Sequence, residues 1–272
     1  PVRGDSYRSN LTPLSAQKEL TFFFAGHAYG APVEVDEKIH PPLKNNIEFI
    51  NSKNVDFGIF GGDFIQNCES VNEWNNFEGF SEKFSAKIYH VLGNHEKMCE
   101  NYDQFFNKVH GSTFYKEKIN NNLFLFLDTN FNGTLEITTL VNFVKNNIND
   151  NMDVDNIFLF SHQVAWSKSI WDIRTNSRQN YQKSNIFYDR IIGFLNSIDR
   201  DVYWFSGDVG ALWGIPFLTY HEKQNVKLIS SGMGNYYNDN LIFITIGKNV
   251  KISPFNLNNG QNIDLYKHSS WY

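Results

Sequence analysis

A chain of 272 residues, 41% hydrophobic and 16% aromatic, is long enough to form one large domain and to bury roughly 75% of the surface its unfolded form exposes, so a core without staples suffices. Its net charge of −5, with both signs interspersed, leaves no footprint for nucleic acid or an anionic membrane. The longest apolar runs, such as 123–127, fall far short of the about 18 residues a membrane-spanning helix needs.

The polar opening, 1–19, reads as an N-terminal extension, followed by a single domain over 20–272. A chain starting on Pro1 is compatible with a leader or anchor removed upstream, and as it stands it reads as soluble, with its compartment and oligomeric state undetermined. Apolar β-type runs then alternate with helical periodicity. Residues 20–25 read as strand, 37–53 as helix, 55–61 as strand, 71–84 as helix and 87–92 as strand. A short helix at 102–109 precedes two strands, 113–119 and 123–128, paired around the Asn-rich turn at 120–122. Helix 138–149, strand 156–161, helix 184–197 and strand 202–206 continue the alternation, which predicts a layered α/β fold. The last strands, 226–230, 241–246 and 250–252, have no helices between them and predict a second, more antiparallel sheet. Cys68 and Cys99 are the only cysteines and lie in no metal-type spacing, so neither a zinc ribbon nor a disulfide scaffold is expected.

Ligands of open α/β sheets bind beyond the carboxyl ends of the strands. There the sequence places Gly26-His27, Gly62-Asp63, Gly93-Asn94-His95-Glu96, Ser161-His162 and Gly207-Asp208. Taken singly, each is a turn or a helix cap. Five apolar strands ending in metal-competent residues point instead to one shared site, with glycines letting the backbone turn tightly. If Asp63 and Asp208 converge to about 4 Å, their repulsion at an effective dielectric near 20 is on the order of 4 kcal/mol. A divalent cation, a shared proton or a partner base would offset it, and with Asn94 and His162 nearby a metal is the simplest choice. Three oxygen donors and one imidazole favour Mn²⁺, Mg²⁺ or Fe²⁺ ahead of Zn²⁺.

The order of these motifs resembles the calcineurin-like metallophosphoesterases, whose pattern runs Asp-x-His, Gly-Asp, Gly-Asn-His-Glu, a later His, then Gly-His-x-His. The likeness spans about 27–234, and Gly93-Asn94-His95-Glu96 is its most specific element. It implies a metallophosphoesterase-type β-sandwich flanked by helices, and hydrolysis of a phosphoric ester. It also implies that Asp63, Asn94, His162 and Asp208 hold a metal, Asp208 standing where the family has histidine. His95 would donate a proton to the leaving oxygen or stabilise the charged transition state, and Glu96 would orient its neighbours. Asp128, in Leu127-Asp128-Thr129, matches a strand-end element of the family and is expected to make structural hydrogen bonds. Ala25 and Gly210 occupy two ligand positions of the family's other metal, which leaves His27 alone there, free to contact substrate, and makes one ion the expectation rather than two. If the chain is a binding protein that lost turnover, the pair Ala25→Asp and Gly210→His is the change expected to create activity.

Tyr29 and Trp213 adjoin the first and last motifs as rim candidates. Trp166, Lys168, Trp171, Arg174 and Arg178 form a segment suited to gripping an anionic group, Arg174 foremost, because arginine holds phosphate through two parallel hydrogen bonds. The competing reading has the tryptophans as core packing and the charges solvated. Ser231-Gly232-Met233-Gly234 brings another strand end towards the same edge. The expected substrate is a phosphorylated small molecule or a glycan-type compound. The alternatives are an inactive binding protein on this fold, or a metal-assisted enzyme acting on another bond, such as one in a modified glycan. No Gly-x-Ser-x-Gly turn is present, which disfavours a serine hydrolase.

Overall fold

The computed structural model describes residues 19–31, 39–167, 174–176, 181–234 and 237–268. The extension at 1–18 and the start of the helix expected at 37 lie outside them.

Side-chain alternation dictates the layering. In Leu20–Ala25 (β1), Phe22 and Phe24 point to one face and Phe23 to the other, the period of two that a pleated strand imposes. Phe57–Phe60 (β2) and Lys87–His90 (β3) run parallel beside β1. Between them lie the helices Pro41–Asn45 (α1), Ile47–Ser52 (α2) and Val71–Ser81 (α3). Asn94–Lys97 (α4) and Asn101–Val109 (α5) follow β3, and lead into the hairpin of Tyr115–Ile119 (β4) and Asn122–Leu127 (β5). Thr134–Asn149 (α6), Asn156–Ser161 (β6), Tyr181–Asn196 (α7) and Val202–Ser206 (β7) come next, and β5, β6 and β7 pair in parallel. Leu218–Lys223 (β8), Val226–Ser231 (β9), Asn240–Ile246 (β10) and Val250–Asn256 (β11) complete the strands described.

Two mixed sheets result, ordered β11-β10-β1-β2-β3 and β4-β5-β6-β7-β9-β8. Their facing surfaces form an aromatic layer: Phe22 stacks on Phe57 with centroids 4.8 Å apart and meets Phe124 and Phe158 edge-on at 5.7 Å. The outer faces carry helices. Phe23, Phe60 and Phe64 pack against Phe77 and Phe80 of α3, while Leu125, Leu159 and Trp204 pack against Val144 of α6 and Ile191 of α7. The chain is thus one α/β sandwich with a three-layer core.

Three sequence expectations change. The last strands form no sheet of their own: β9 joins β7 in parallel, while β10 pairs antiparallel with β1, setting Ile242 and Ile244 into the inter-sheet core. The helix expected over 37–53 is broken at Asn46, whose side chain donates to the carbonyls of Pro42 and Leu257. Cys68 and Cys99, read as no part of a disulfide scaffold, are joined in a single disulfide with Cα atoms 5.7 Å apart. Because β2 and β3 are parallel neighbours, the loops that follow them leave side by side, and a sequence separation of 31 closes to bonding distance.

Candidate metal centre

The carboxyl ends of β1, β2, β3, β6 and β7 meet at one edge of the sandwich, where only bare backbone allows such close approach. A Cβ on Gly207 would lie 2.1 Å from the Gly61 carbonyl oxygen, which fixes glycine there. Two non-glycine residues at this junction, His27 (φ 56°) and Asp63 (φ 52°), hold the left-handed conformation, a local cost of roughly 1–2 kcal/mol each. Hydrogen bonds secure them: His27 N–H donates to Gly62 O (3.1 Å) and Tyr29 N–H to Asp63 O (3.2 Å).

Glu96 anchors the Asp63 loop. Its buried carboxylate accepts the amides of Asp63 (3.0 Å), Phe64 (2.7 Å), Ile65 (2.8 Å) and Gly93 (2.8 Å). Burial and the Asp63 charge push this carboxyl up to about 7, while the amides act in the opposite direction by favouring the ionised form. This matches the orienting role expected for Glu96.

The four expected ligand residues come together. Asp63, His162 and Asp208, all buried, each offer a ligand atom within 4.8 Å of the others. His162 Nε2 lies 3.2 Å from Asp63 Oδ2, 3.7 Å from Asp208 Oδ1 and 3.2 Å from Asn94 Oδ1. Its other nitrogen, Nδ1, donates to the Gly61 carbonyl (2.9 Å), which aims Nε2 at the three oxygens. Burial opposes a charge on His162, but the carboxylates of Asp63 and Asp208 outweigh it and raise the imidazole to about 10. Burial likewise opposes ionisation of Asp63, and the imidazoles around it, His162 first, hold its carboxyl below the ordinary range. One imidazole nitrogen and three oxygens converging, with the imidazole clamped from behind, fit a divalent cation that takes the place of the Nε2 proton.

His27 and His95 flank this set. His27 Nε2 is 3.4 Å from Asp63 Oδ2, and its buried Nδ1 has no hydrogen-bond partner among the described residues. Burial lowers His27 to about 3, so it is neutral. The backbone N–H of His95 donates to Asp63 Oδ1 (3.1 Å), and its Nδ1 donates to the Gln66 carbonyl (2.8 Å). Its Nε2 then accepts from the Tyr29 hydroxyl at 3.1 Å.

A family model for calcineurin-like phosphoesterases matches residues 36–232, most of the chain and the segment that supplies every ligand just described. The chain belongs to the calcineurin-like phosphoesterase family. Solved structures agree on the fold. A dimetal phosphatase from Danio rerio superposes with a TM-score of 0.65 at 10% identity, covering 90% of this chain and 99% of that one. A purple acid phosphatase from yellow lupin (Lupinus luteus) seeds gives 0.60 at 12% identity, covering 91% of this chain and 53% of that one. Among curated proteins none matches by sequence.

Other positions of this family member depart from the sequence reading. Tyr29, expected at a rim, is buried with its ring 4.4 Å from His27 and 4.9 Å from His95, so it braces the two histidines. Trp166 is fully buried against Trp204 and belongs to the core, in agreement with the packing reading of the tryptophans. Lys168, Trp171 and Arg178 lie outside the described residues. Arg174 is exposed with its guanidinium near Gly214, and Asn176 ties this short segment to the last ligand loop by donating to Asp208 O (3.1 Å). Trp213, on that loop, is 98% exposed. Asp128 accepts from Asn130 and pairs with Lys97, the structural role expected of it.

At the positions of the second family metal, Ala25 is fully buried and Gly210 has φ +88°. A Cβ on Gly210 would lie 2.8 Å from the Gly232 carbonyl carbon and 3.1 Å from Met233 N, so no larger side chain fits without moving backbone. The partners that sequence reading missed are the carbonyls of Gly61 and Gln66. A backbone acceptor carries no residue signature that could have announced them.

Proposed function

We propose that this chain hydrolyses a phosphoric ester using one divalent ion held by Asp63, Asn94, His162 and Asp208. The observation that carries this reading is the convergence of buried ligand atoms of Asp63, His162 and Asp208 within 4.8 Å of one another, with the rear nitrogen of the imidazole already bonded. When bound, such an ion supplies a lowered water pKa and polarisation of a phosphoryl oxygen. The chain's residues supply the rest. Asp63, Asn94, His162 and Asp208 would hold the ion. The doubly protonated form of His95 gives its Nε2 proton to the leaving oxygen while its Nδ1 proton stays on the Gln66 carbonyl, and the neutral ring that results accepts from the Tyr29 hydroxyl. His27, neutral and beside Asp63, provides a contact for the substrate. Arg174 and the exposed Trp213 supply a cation and a flat apolar surface on or beside the loop that begins at Asp208.

One ion is favoured over two because Ala25 offers no ligand and the backbone at Gly210 leaves no room for one. The net charge of −5 favours a phosphorylated small molecule or glycan over a polyanion. The same ligand loss supports a second reading, a metal-binding member of the family without turnover.

Phosphomonoesters and phosphodiesters should be tested with Mn²⁺, Mg²⁺, Fe²⁺ or Zn²⁺ added to metal-free protein. The expected result is turnover that His95→Ala reduces by about 10²–10⁴-fold while metal still binds. Metal binding without turnover on any ester supports the second reading and removes the first.

A further inference from the structure

The two cysteines sit on two segments of the centre that touch each other. Cys68 lies in the loop that starts at Asp63, and Cys99 lies just past α4, which carries Asn94, His95 and Glu96. No strand pairing holds this loop, because β2 ends at Phe60 and α3 begins only at Val71. It is held by bonds to side chains. Glu96 takes the amides of Asp63, Phe64 and Ile65 at one end, and Glu73 takes those of Gln66 and Asn67 (both 2.9 Å) at the other. Trp74 Nε1 donates to the Cys68 carbonyl at 2.9 Å. Gln66 therefore lies between Asp63 and a covalent link to the end of α4, and its carbonyl is the acceptor that fixes His95 Nδ1 at 2.8 Å.

We infer that the Cys68–Cys99 disulfide is a positioning element of the centre. It keeps the Gln66 carbonyl on His95, so that the imidazole proton stays on Nδ1 and Nε2 faces the site. Its bearing on catalysis rests on the hydrolase reading above, but the positioning itself does not. Forming the bond takes two protons and two electrons from the thiols to a disulfide oxidant, and a dithiol returns them. The half-buried Cys99 gives an exchanging thiol access that the buried Cys68 does not. The arrangement is then complete only in an oxidising compartment.

The test uses ¹⁵N-histidine-labelled full-length chain in three arms: oxidised, reduced with a dithiol, and Cys68→Ser/Cys99→Ser. NMR of the imidazole nitrogens, with His95→Gln for assignment, reports the tautomer, and hydrogen exchange reports the amides of 63–70. The oxidised arm should show His95 as the Nδ1–H tautomer with slow exchange at Phe64 and Ile65. The other two arms should keep the native circular dichroism, lose the single tautomer and exchange faster over 63–70. With a phosphoester substrate, kcat should fall on the order of 10- to 100-fold with KM little changed. An unchanged His95 signal and unchanged exchange on reduction would overturn the inference. So would global unfolding of both thiol arms, since the bond would then be a staple of the whole fold, or free thiols in chain made in an oxidising compartment. The expected tautomer change without turnover in any arm leaves the positioning intact and sinks the hydrolase reading alone.

Discussion

Metal binding to this chain should expel close to one proton, and the affinity should rise with pH in proportion. In the metal-free protein burial disfavours a charged His162, but the Asp63 and Asp208 carboxylates outweigh it and keep the imidazole protonated up to about 10. Nδ1 is committed to the Gly61 carbonyl, so the exchangeable proton sits on Nε2, 3.2 Å from both Asp63 Oδ2 and Asn94 Oδ1. A cation needs that same lone pair. Between the ordinary histidine value of 6.5 and about 10, each added pH unit should therefore strengthen apparent binding about tenfold, or about 100-fold from pH 6.5 to 8.5. Calorimetric titration with Mn²⁺ in two buffers of different ionisation enthalpy measures both the slope and the proton count. His162→Asn should flatten the slope. A pH-independent Kd with no proton release would refute the arrangement of ligands around Nε2.

The same proton sets the stability of the metal-free fold. A pKa raised from 6.5 to about 10 stabilises the folded state fully below 6.5, and that contribution is lost as pH rises through about 10. The upper bound is on the order of 5 kcal/mol. Thermal unfolding of chelator-treated protein should move to lower temperature across this window, and saturating Mn²⁺ should abolish the trend.

Replacing Glu96 by Gln sets an amide NH₂ against backbone donors that now meet a carboxylate, and should cost about 2–4 kcal/mol in urea unfolding while weakening metal binding through the Asp63 loop. Away from the site, burial holds His110 down to about 4 and His90 well below its ordinary value, so the unfolded chain takes up protons that the folded chain refuses. Stability measured by urea midpoint should accordingly fall as pH drops from 6.5 towards about 4. The pair Ala25→Asp and Gly210→His should not gain a second ion: calorimetric stoichiometry should stay at one and the melting temperature should drop, because residue 210 needs a left-handed backbone and has backbone atoms within 3.1 Å of any Cβ.

Much of this was legible in the chain. Strands whose residues alternate between Phe and Leu, as in Asn122–Leu127, announce a sheet buried on both faces, and the structure sorts Phe124 and Phe126 inward and Leu123 and Leu125 towards the helices. The ligands were legible because parallel strands deliver their carboxyl ends to one edge, so position in sequence stands in for position in space. Partners fixed by tertiary approach were not. His162 and the Gly61 carbonyl are 101 residues apart, and Cys68 and Cys99 become neighbours only because β2 and β3 lie side by side. Strand β8 escaped notice because Leu218–Lys223 ends in two exposed polar residues and lacks a long apolar run. Tyr29 is read at a rim, and Trp166 stays open between a gripping segment and the core, for a related reason. Aromatic residues beside a motif suit a rim and a core equally, and only the neighbouring His27, His95 and Trp204 rings decide between them.

The contrast between the Asp63 loop and the loop at Gly210 is written in backbone as much as in side chains. His27 and Asp63 keep costly left-handed geometry because Glu96, Gly62 and Tyr29 hold them there, and the result is a loop that aims one carboxylate at His162. On the opposite side Gly210 turns left-handed against Gly232, which closes the space a second histidine would occupy. Side chains lost at 25 and 210 could in principle return through two substitutions. A loop that has settled onto its neighbour's backbone cannot, so on the reading proposed above the set Asp63, Asn94, His162 and Asp208 is the one that still converges, while beside it only His27 is left.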